Sequence, residues 1–105
     1  MSWADNYIKL LREGKAIKFR PRGKSMTPII KNGQLVTVIP VDSAEEIKKG
    51  DIVLCKVSGR QYLHKVTAIK EARYQISNNH GFINGWTSLE KIYGKFVKDC
   101  DELLE

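Results

Sequence analysis

Short runs of alternating apolar and polar residues, separated by glycine, proline and polar turns, constrain the fold of this chain most strongly. In the run 61–69, successive side chains take opposite faces, as they do in a β-strand. The same reasoning predicts strands at 15–21, 34–40, 51–57, 60–69, 73–77 and 91–98. Ser58-Gly59 is typical of a tight connection between two antiparallel strands. The pattern therefore predicts a mainly β fold with strongly bent, mostly antiparallel sheets.

Two helical segments accompany these strands. Helical spacing of Trp3, Tyr7, Leu10 and Leu11 predicts a short amphipathic helix over 1–13 that covers one opening or face of the β part. Residues 43–49 predict a single helical turn capped by Ser43. With 105 residues, we expect one domain, 1–105, with its β part over 15–98 and an acidic tail over 99–105. The residues expected to be largely buried are Val36, Val38, Ile52, Leu54, Val66, Ile69 and Phe96.

A serine and a histidine are the candidate reactive pair. Gly23 and Pro28 flank Ser25 closely and favour a bend that exposes its hydroxyl, with Met26 packed beneath the bend or against a bound peptide. His64 lies in the alternating run, on the face opposite Lys65. A serine hydroxyl becomes a useful nucleophile only when a neighbouring base can take its proton. Taken singly, a serine next to a glycine in a loop is ordinarily a turn residue, and a lone histidine in a strand is ordinarily structural.

The segments around this pair resemble the serine peptidases that include the type I signal peptidases and the LexA-like self-cleaving repressors. The similarity covers roughly residues 17–97 and rests on four segments: Gly-x-Ser-Met-x-Pro at 23–28, a glycine turn at 33, Gly-Asp-Ile-Val at 50–53 and Leu-His-Lys-Val at 63–66. It implies Ser25 as nucleophile and His64 as general base, as in the histidine branch of the family. Lys65 is then the flanking basic residue and the weaker candidate base.

The resemblance also implies an extended peptide or protein substrate bound across the serine. Gly23, Ser25 and Met26 would form the substrate and oxyanion region, and the Ser25 backbone N–H would supply one donor. Where the histidine branch carries supporting aspartates, this chain has Asn78 and, further along, Asn84. An amide can hold an imidazole but stabilises imidazolium less than a carboxylate does. On this alignment, we expect Asn78→Asp to increase the rate of peptide cleavage or of acylation by a serine-directed probe.

Composition narrows the classes of function that this chain could have. The net charge of +6, from 18 basic and 12 acidic residues, is modest for a dedicated nucleic-acid binder. Five alternating basic residues form either a solvated strand face or a contact patch: Lys15, Lys18, Arg20, Arg22 and Lys24. Cys55 and Cys100 lack metal-ligand spacing, so we expect no metal and no cofactor, while their pairing stays open. We also expect no membrane span and a reducing cytoplasmic location.

Three functional classes remain. The first is a serine endopeptidase. The second is a catalytically inert peptide- or protein-binding module of the same fold, which the asparagines favour. The third is a phage- or repressor-like regulator without a DNA-binding domain, although the chain contains neither an Ala-Gly nor a Cys-Gly dipeptide for self-cleavage. The sequence leaves the oligomeric state open.

Overall fold

The computed structural model describes residues 2–97, and these form one α-helix, two 3₁₀ turns and seven strands. The prediction of a mainly β fold is confirmed. Helix α1 spans Asp5–Arg12, shorter than the predicted 1–13. The strands are β1 (Ile17–Phe19), β2 (Val36–Pro40), β3 (Ile52–Val57), β4 (Arg60–Lys70), β5 (Arg73–Ser77), β6 (Ile83–Ser88) and β7 (Ile92–Val97). The 3₁₀ turns are Ala44–Glu46, with Ser43 as its cap as predicted, and Leu89–Lys91.

The seven described strands form one antiparallel sheet in the order β1-β2-β7-β3-β4-β5-β6. Ser58 and Gly59 connect β3 to β4 with φ values of 51° and 82°. Positive φ at both central residues matches the right-handed twist of the two flanking strands. The predicted tight hairpin is therefore present, and it places His64 opposite Val53 on the neighbouring strand.

The sheet bends so far that β6, at one end of the strand order, returns to β3. Thr87 Oγ1 on β6 donates a 2.7 Å hydrogen bond to the backbone oxygen of Lys56 on β3. Gly85 has a φ of 142°, and a β-carbon there would lie 3.0 Å from Val57 Cγ1. Glycine allows both this backbone conformation and the close approach of the two strands. The bend encloses one part of the core and brings β6 near the middle of β4.

Two apolar clusters stabilise the fold. One packs α1 against the sheet and includes Leu11, Met26, Val38, Leu54 and Leu63. The other lies within the bend and is built from Val41, Ile47, Val53, Cys55, Val57, Val66, Tyr74, Ile76 and Ile92. Neighbouring residues of β3 enter different clusters, because alternate side chains of a strand point to opposite faces. Both faces of the central strands are consequently covered.

Three details differ from the sequence expectations. Ile69 is 44% exposed rather than buried, because β4 extends beyond β3 after Lys65 and only β5 pairs with it there. Phe96 is only partly buried, at the margin of the cluster that contains α1. Strand β6 was not predicted, since its segment contains Asn84 and Gly85, two poor strand formers, and shows no clear alternation. The other five residues predicted to be buried lie in the core.

Cys55 is fully buried in β3, and burial raises the pKa of its thiol to about 12. Cys100 and the acidic tail over 99–105 lie outside the described residues. Across residues 2–97, no helix is long and apolar enough to cross a membrane.

Gly94→Ala should destabilise the fold at the contact between β7, β2 and α1. The added β-carbon would lie 2.7 Å from the Ile39 backbone oxygen and 3.0 Å from Leu11 Cδ1. Because the backbone oxygen cannot rotate away, we expect the free energy of unfolding in urea to fall by about 1–3 kcal/mol. The exposed β1 substitution Lys18→Ala is the control and should change it by less than about 0.5 kcal/mol. Equal effects of the two substitutions would contradict the close packing at Gly94.

Candidate active site

Ser25 lies on a loop, residues 20–35, that connects β1 to β2. Hydrogen bonds across its base close this Ser25 loop: Arg20 Nη1 donates to the Gly33 oxygen at 2.9 Å, and the Gly33 N–H donates to the Pro21 oxygen at 2.9 Å. Gly23 has a φ of 107°, and its N–H donates to Asn32 Oδ1 at 2.8 Å. Glycine reaches this φ without steric strain and allows the chain to turn before the serine. The bend predicted from the sequence is therefore present.

Burial of two apolar side chains fixes the loop to the domain. Met26 and Ile30, which are 4% and 3% exposed, join the core cluster beneath α1. The Ile30 N–H donates to the Met26 oxygen at 2.9 Å, so the two anchors belong to one turn. Ser25 itself is exposed. The loop thus holds a solvent-accessible hydroxyl on a backbone that packing keeps in place.

Groups of β4 and of the turn between β5 and β6 hold the other side of the loop. The Asn79 backbone N–H donates to the Ser25 oxygen at 2.8 Å, and Asn79 Nδ2 donates to the Thr27 oxygen at 2.9 Å. Lys65 Nζ donates to Asn79 Oδ1 at 3.0 Å. His80 Nε2 lies 2.9 Å from the Lys24 oxygen, to which it can donate. These contacts fix the peptide groups on both sides of Ser25.

His64 lies between Ser25 and Asn84. Its Nε2 is 3.1 Å from Ser25 Oγ, and its Nδ1 is 2.7 Å from Asn84 Oδ1. An amide oxygen can only accept a hydrogen bond, so this contact places the proton of neutral His64 on Nδ1. Nε2 is then free to accept the hydroxyl proton of Ser25. This is the tautomer that a general base requires.

The surroundings of His64 also favour its neutral form. Burial lowers the pKa of His64 below its ordinary value, and the hydrogen bond to Asn84 opposes this shift in part. The Tyr62 ring stacks on the imidazole with centroids 4.9 Å apart and planes inclined by 29°. An uncharged imidazole held in this position is ready to accept a proton near neutral pH.

Asn84 reaches His64 because of a bulge at the end of the sheet. On β5 and β6, Ser77 pairs with Ile83 and Ile76 pairs with Gly85, which leaves Asn84 as the extra residue. A bulge redirects the side chain of its unpaired residue and bends the strand that carries it. Together with the bend that returns β6 toward β3, this aims the Asn84 amide at a residue two strands away in the sheet order.

The structure does not bring together every residue that the sequence suggested. Asn78, aligned with the family aspartate, accepts hydrogen bonds from the backbone N–H groups of His80 and Phe82 and stabilises a turn instead of contacting His64. The Gly23 N–H is engaged by Asn32, so Gly23 contributes space for backbone approach instead of a free donor. Lys65 contacts Asn79, away from the face that carries His64.

Sequence reasoning missed Asn79 and His80, which hold the Ser25 loop. The only sequence signal at this point was a polar turn, Asn78-Asn79-His80-Gly81, which indicates a loop but not what its side chains contact. Such long-range contacts depend on how the sheet bends. Within residues 2–97, metal-ligating side chains nowhere form a group of three or more that could hold an ion.

A cleft of about 500 Å³ opens beside Ser25 and His64. One side is formed by residues 19–23 and the other by residues 61–64 of β4, while Met26 and Ile30 contribute to its lining. The cleft is therefore continuous with the candidate pair Ser25 and His64, and its volume would accommodate several peptide side chains.

Comparison with known proteins agrees with this geometry. Residues 2–93 match the family model described as Peptidase S24-like. No curated protein matches the chain at a significant level. The match includes the Ser25 loop, all of β4 and the bulge that carries Asn84. By this match and by its bent, mainly β fold, the chain belongs to the Peptidase S24-like family.

Proposed function

We propose that this protein is a serine endopeptidase that cleaves extended peptide segments, with Ser25 as nucleophile, His64 as general base and Asn84 as the residue that orients the base. The observation that carries the proposal is the continuous hydrogen-bonded series from Asn84 through His64 to Ser25, at 2.7 and 3.1 Å. Nucleophile, base and orienting group within hydrogen-bond distance are the arrangement that activates a serine hydroxyl.

In the first step, Ser25 Oγ attacks the carbonyl carbon of the scissile peptide bond while His64 Nε2 takes the hydroxyl proton. The carbonyl oxygen becomes an oxyanion, and the Ser25 backbone N–H, which has no protein acceptor among the described residues, is available to stabilise it. The C–N bond then breaks, and His64 returns the proton to the leaving amine. Water, deprotonated by His64, hydrolyses the acyl ester and regenerates Ser25.

The free edge of β4 supports an extended peptide as substrate. Residues 60–64 pair with β3 on one side only, because β5 begins to pair with β4 at Lys65. Unpaired backbone groups at a strand edge can bind another extended segment by main-chain hydrogen bonds. Since residues 61–64 line the cleft, a peptide paired there would pass beside His64 and Ser25.

The competing proposal is an inert peptide-binding module of the same fold. It is favoured by Asn84, because an amide gives less stabilisation to imidazolium than the aspartate of a Ser–His–Asp triad. An asparagine is nevertheless compatible with catalysis, since papain-like peptidases use Cys, His and Asn. The two proposals differ in whether Ser25 reacts.

A fluorophosphonate probe should modify the wild-type protein at Ser25, detected as a mass increase that maps to the peptide containing this residue. Ser25→Ala should abolish the modification. His64→Ala should lower its rate by about 10²- to 10⁴-fold, because the general base is lost. The matched control is Asn78→Asp, which lies in a nearby turn without contacting His64 and should leave the rate near that of wild type.

Asn84→Asp should increase the labelling rate by roughly tenfold or more, since a carboxylate stabilises the imidazolium that forms in the transition state. The same change in Asn78 should not reproduce the increase. If neither the wild type nor Asn84→Asp shows Ser25-dependent reaction with the probe or with peptides, the inert binding module replaces the peptidase.

The labelling rate of the wild type should rise with pH through a midpoint below 6.5, the ordinary value for imidazole, because burial lowers the pKa of His64. Below that midpoint His64 is protonated and cannot accept the Ser25 proton, so the activity is lost as the pH falls. Asn84→Asp should move the midpoint upward. NMR titration of the imidazole, assigned by its loss in His64→Gln, provides an independent measurement. A midpoint in the alkaline range would contradict His64 as the base.

A further inference from the structure

The cleft beside Ser25 has two chemically different parts. An aromatic wall is formed by Trp3, Tyr7 and Phe19, and a basic rim is formed by Arg20, Arg22 and Lys31. None of the described residues that line the cleft is an aspartate or a glutamate. A cleft with both an aromatic wall and a basic rim discriminates between ligands more strongly than a purely apolar pocket for small side chains would.

The aromatic wall is built by docking the start of α1 on the sheet. Tyr7 and Phe19 stack with centroids 4.5 Å apart, and Trp3 lies 5.8 Å from Phe19. Gln61, which is buried, holds this end of the helix: its Oε1 accepts from the Ala4 N–H at 2.9 Å, and its Nε2 donates to Asp5 Oδ1 at 2.7 Å. Trp3 nevertheless remains 52% exposed. A half-exposed indole that lines the cleft is suited to contact an apolar side chain of a ligand.

Among residues 2–97, the basic rim has no acidic partner. Within residues 2–97, the two salt bridges are Lys15–Glu13 and Lys95–Asp51, both outside the cleft lining. The Arg20 guanidinium is held by the Gly33 oxygen, which is a neutral acceptor. Arg22 and Lys31 are exposed. Cationic side chains concentrated in a concave site produce a positive potential that attracts acidic ligands.

We propose that the cleft selects peptide segments in which acidic residues lie next to an aromatic or large aliphatic residue. This inference rests on the proposed function for the scissile bond but concerns the recognition of the flanking residues. The carboxylates would pair with Arg22 and Lys31, and the apolar side chain would pack on Trp3 and Tyr7. A peptide is favoured over an anionic membrane surface because the site is a cleft bordered by the free edge of β4, which offers main-chain hydrogen bonds.

The test measures binding to the catalytically inactive Ser25→Ala variant by fluorescence anisotropy. The probes are short labelled peptides of equal length: one with two aspartates beside a phenylalanine, one with lysines in place of the aspartates, and one with alanine in place of the phenylalanine. We expect the acidic aromatic peptide to bind about tenfold or more tightly than either of the others, with an affinity that falls as salt is added.

Substitutions that reverse the charge of the basic rim test whether the acidic peptide binds there. Arg22→Glu combined with Lys31→Glu should remove the preference for the acidic peptide. Lys70→Glu combined with Lys91→Glu makes the same change in net charge at exposed positions that do not line the cleft, and it should keep the preference. Trp3→Ala should weaken binding of the aromatic peptide toward that of its alanine counterpart. Thermal unfolding followed by circular dichroism verifies that each variant is folded.

The proposal would be overturned if all three peptides bound with equal affinity. It would also be overturned if the cleft and distal double variants lost the preference for the acidic peptide equally. Binding to vesicles that contain phosphatidylserine but not to the peptides would assign the basic rim to a membrane surface and would overturn it as well. Because Ser25→Ala cannot react, acidic-peptide selectivity together with an unreactive wild-type Ser25 would support this inference while rejecting the peptidase.

Discussion

The return of β6 onto β3 holds together both the core of the sheet and the candidate site. It is held by the hydrogen bond from Thr87 to the Lys56 oxygen and by the close approach of Gly85 to Val57. The return encloses the apolar cluster around Val53, Val66 and Ile76. Without it, Asn84 would lie at the far edge of a more open sheet, away from His64. A single bend therefore supports both the burial of apolar surface and the geometry of the candidate site.

The site combines an exposed serine hydroxyl with a backbone that is fixed on several sides. Met26 anchors the Ser25 loop to the core, while Asn79 and His80 hold its peptide groups. On the other side, Asn84 and Tyr62 orient the imidazole. Such fixation reduces the reorganisation that proton transfer would require. It also explains why residues outside the reactive pair matter for the proposed chemistry: they set the 3.1 Å contact between Ser25 and His64.

The basic and aromatic side chains that line the cleft set its charge and its apolar surface independently of Ser25 and His64. Burial lowers the pKa of His64 and so favours the uncharged form of the imidazole. The selectivity proposed for acidic peptides comes instead from Arg22 and Lys31 of the Ser25 loop and from the aromatic wall. Chemistry at the scissile bond and recognition of flanking residues are thus assigned to different side chains. Each can be tested by substitutions that leave the other intact.

From local alternation and turn chemistry, the sequence predicted most of the strands, the Ser58-Gly59 hairpin and the bend at Gly23, and from the resemblance of the flanking segments to a peptidase family it predicted the pair Ser25 and His64. It did not reveal β6, whose Asn84 and Gly85 are poor strand formers, nor the exposure of Ile69 where β4 extends beyond β3. The contact of Asn84 with His64, and the role of Asn78 in a turn, became visible in the folded chain alone. Which asparagine reaches His64 depends on a bulge and on sheet bending, which bring together residues that no local pattern relates.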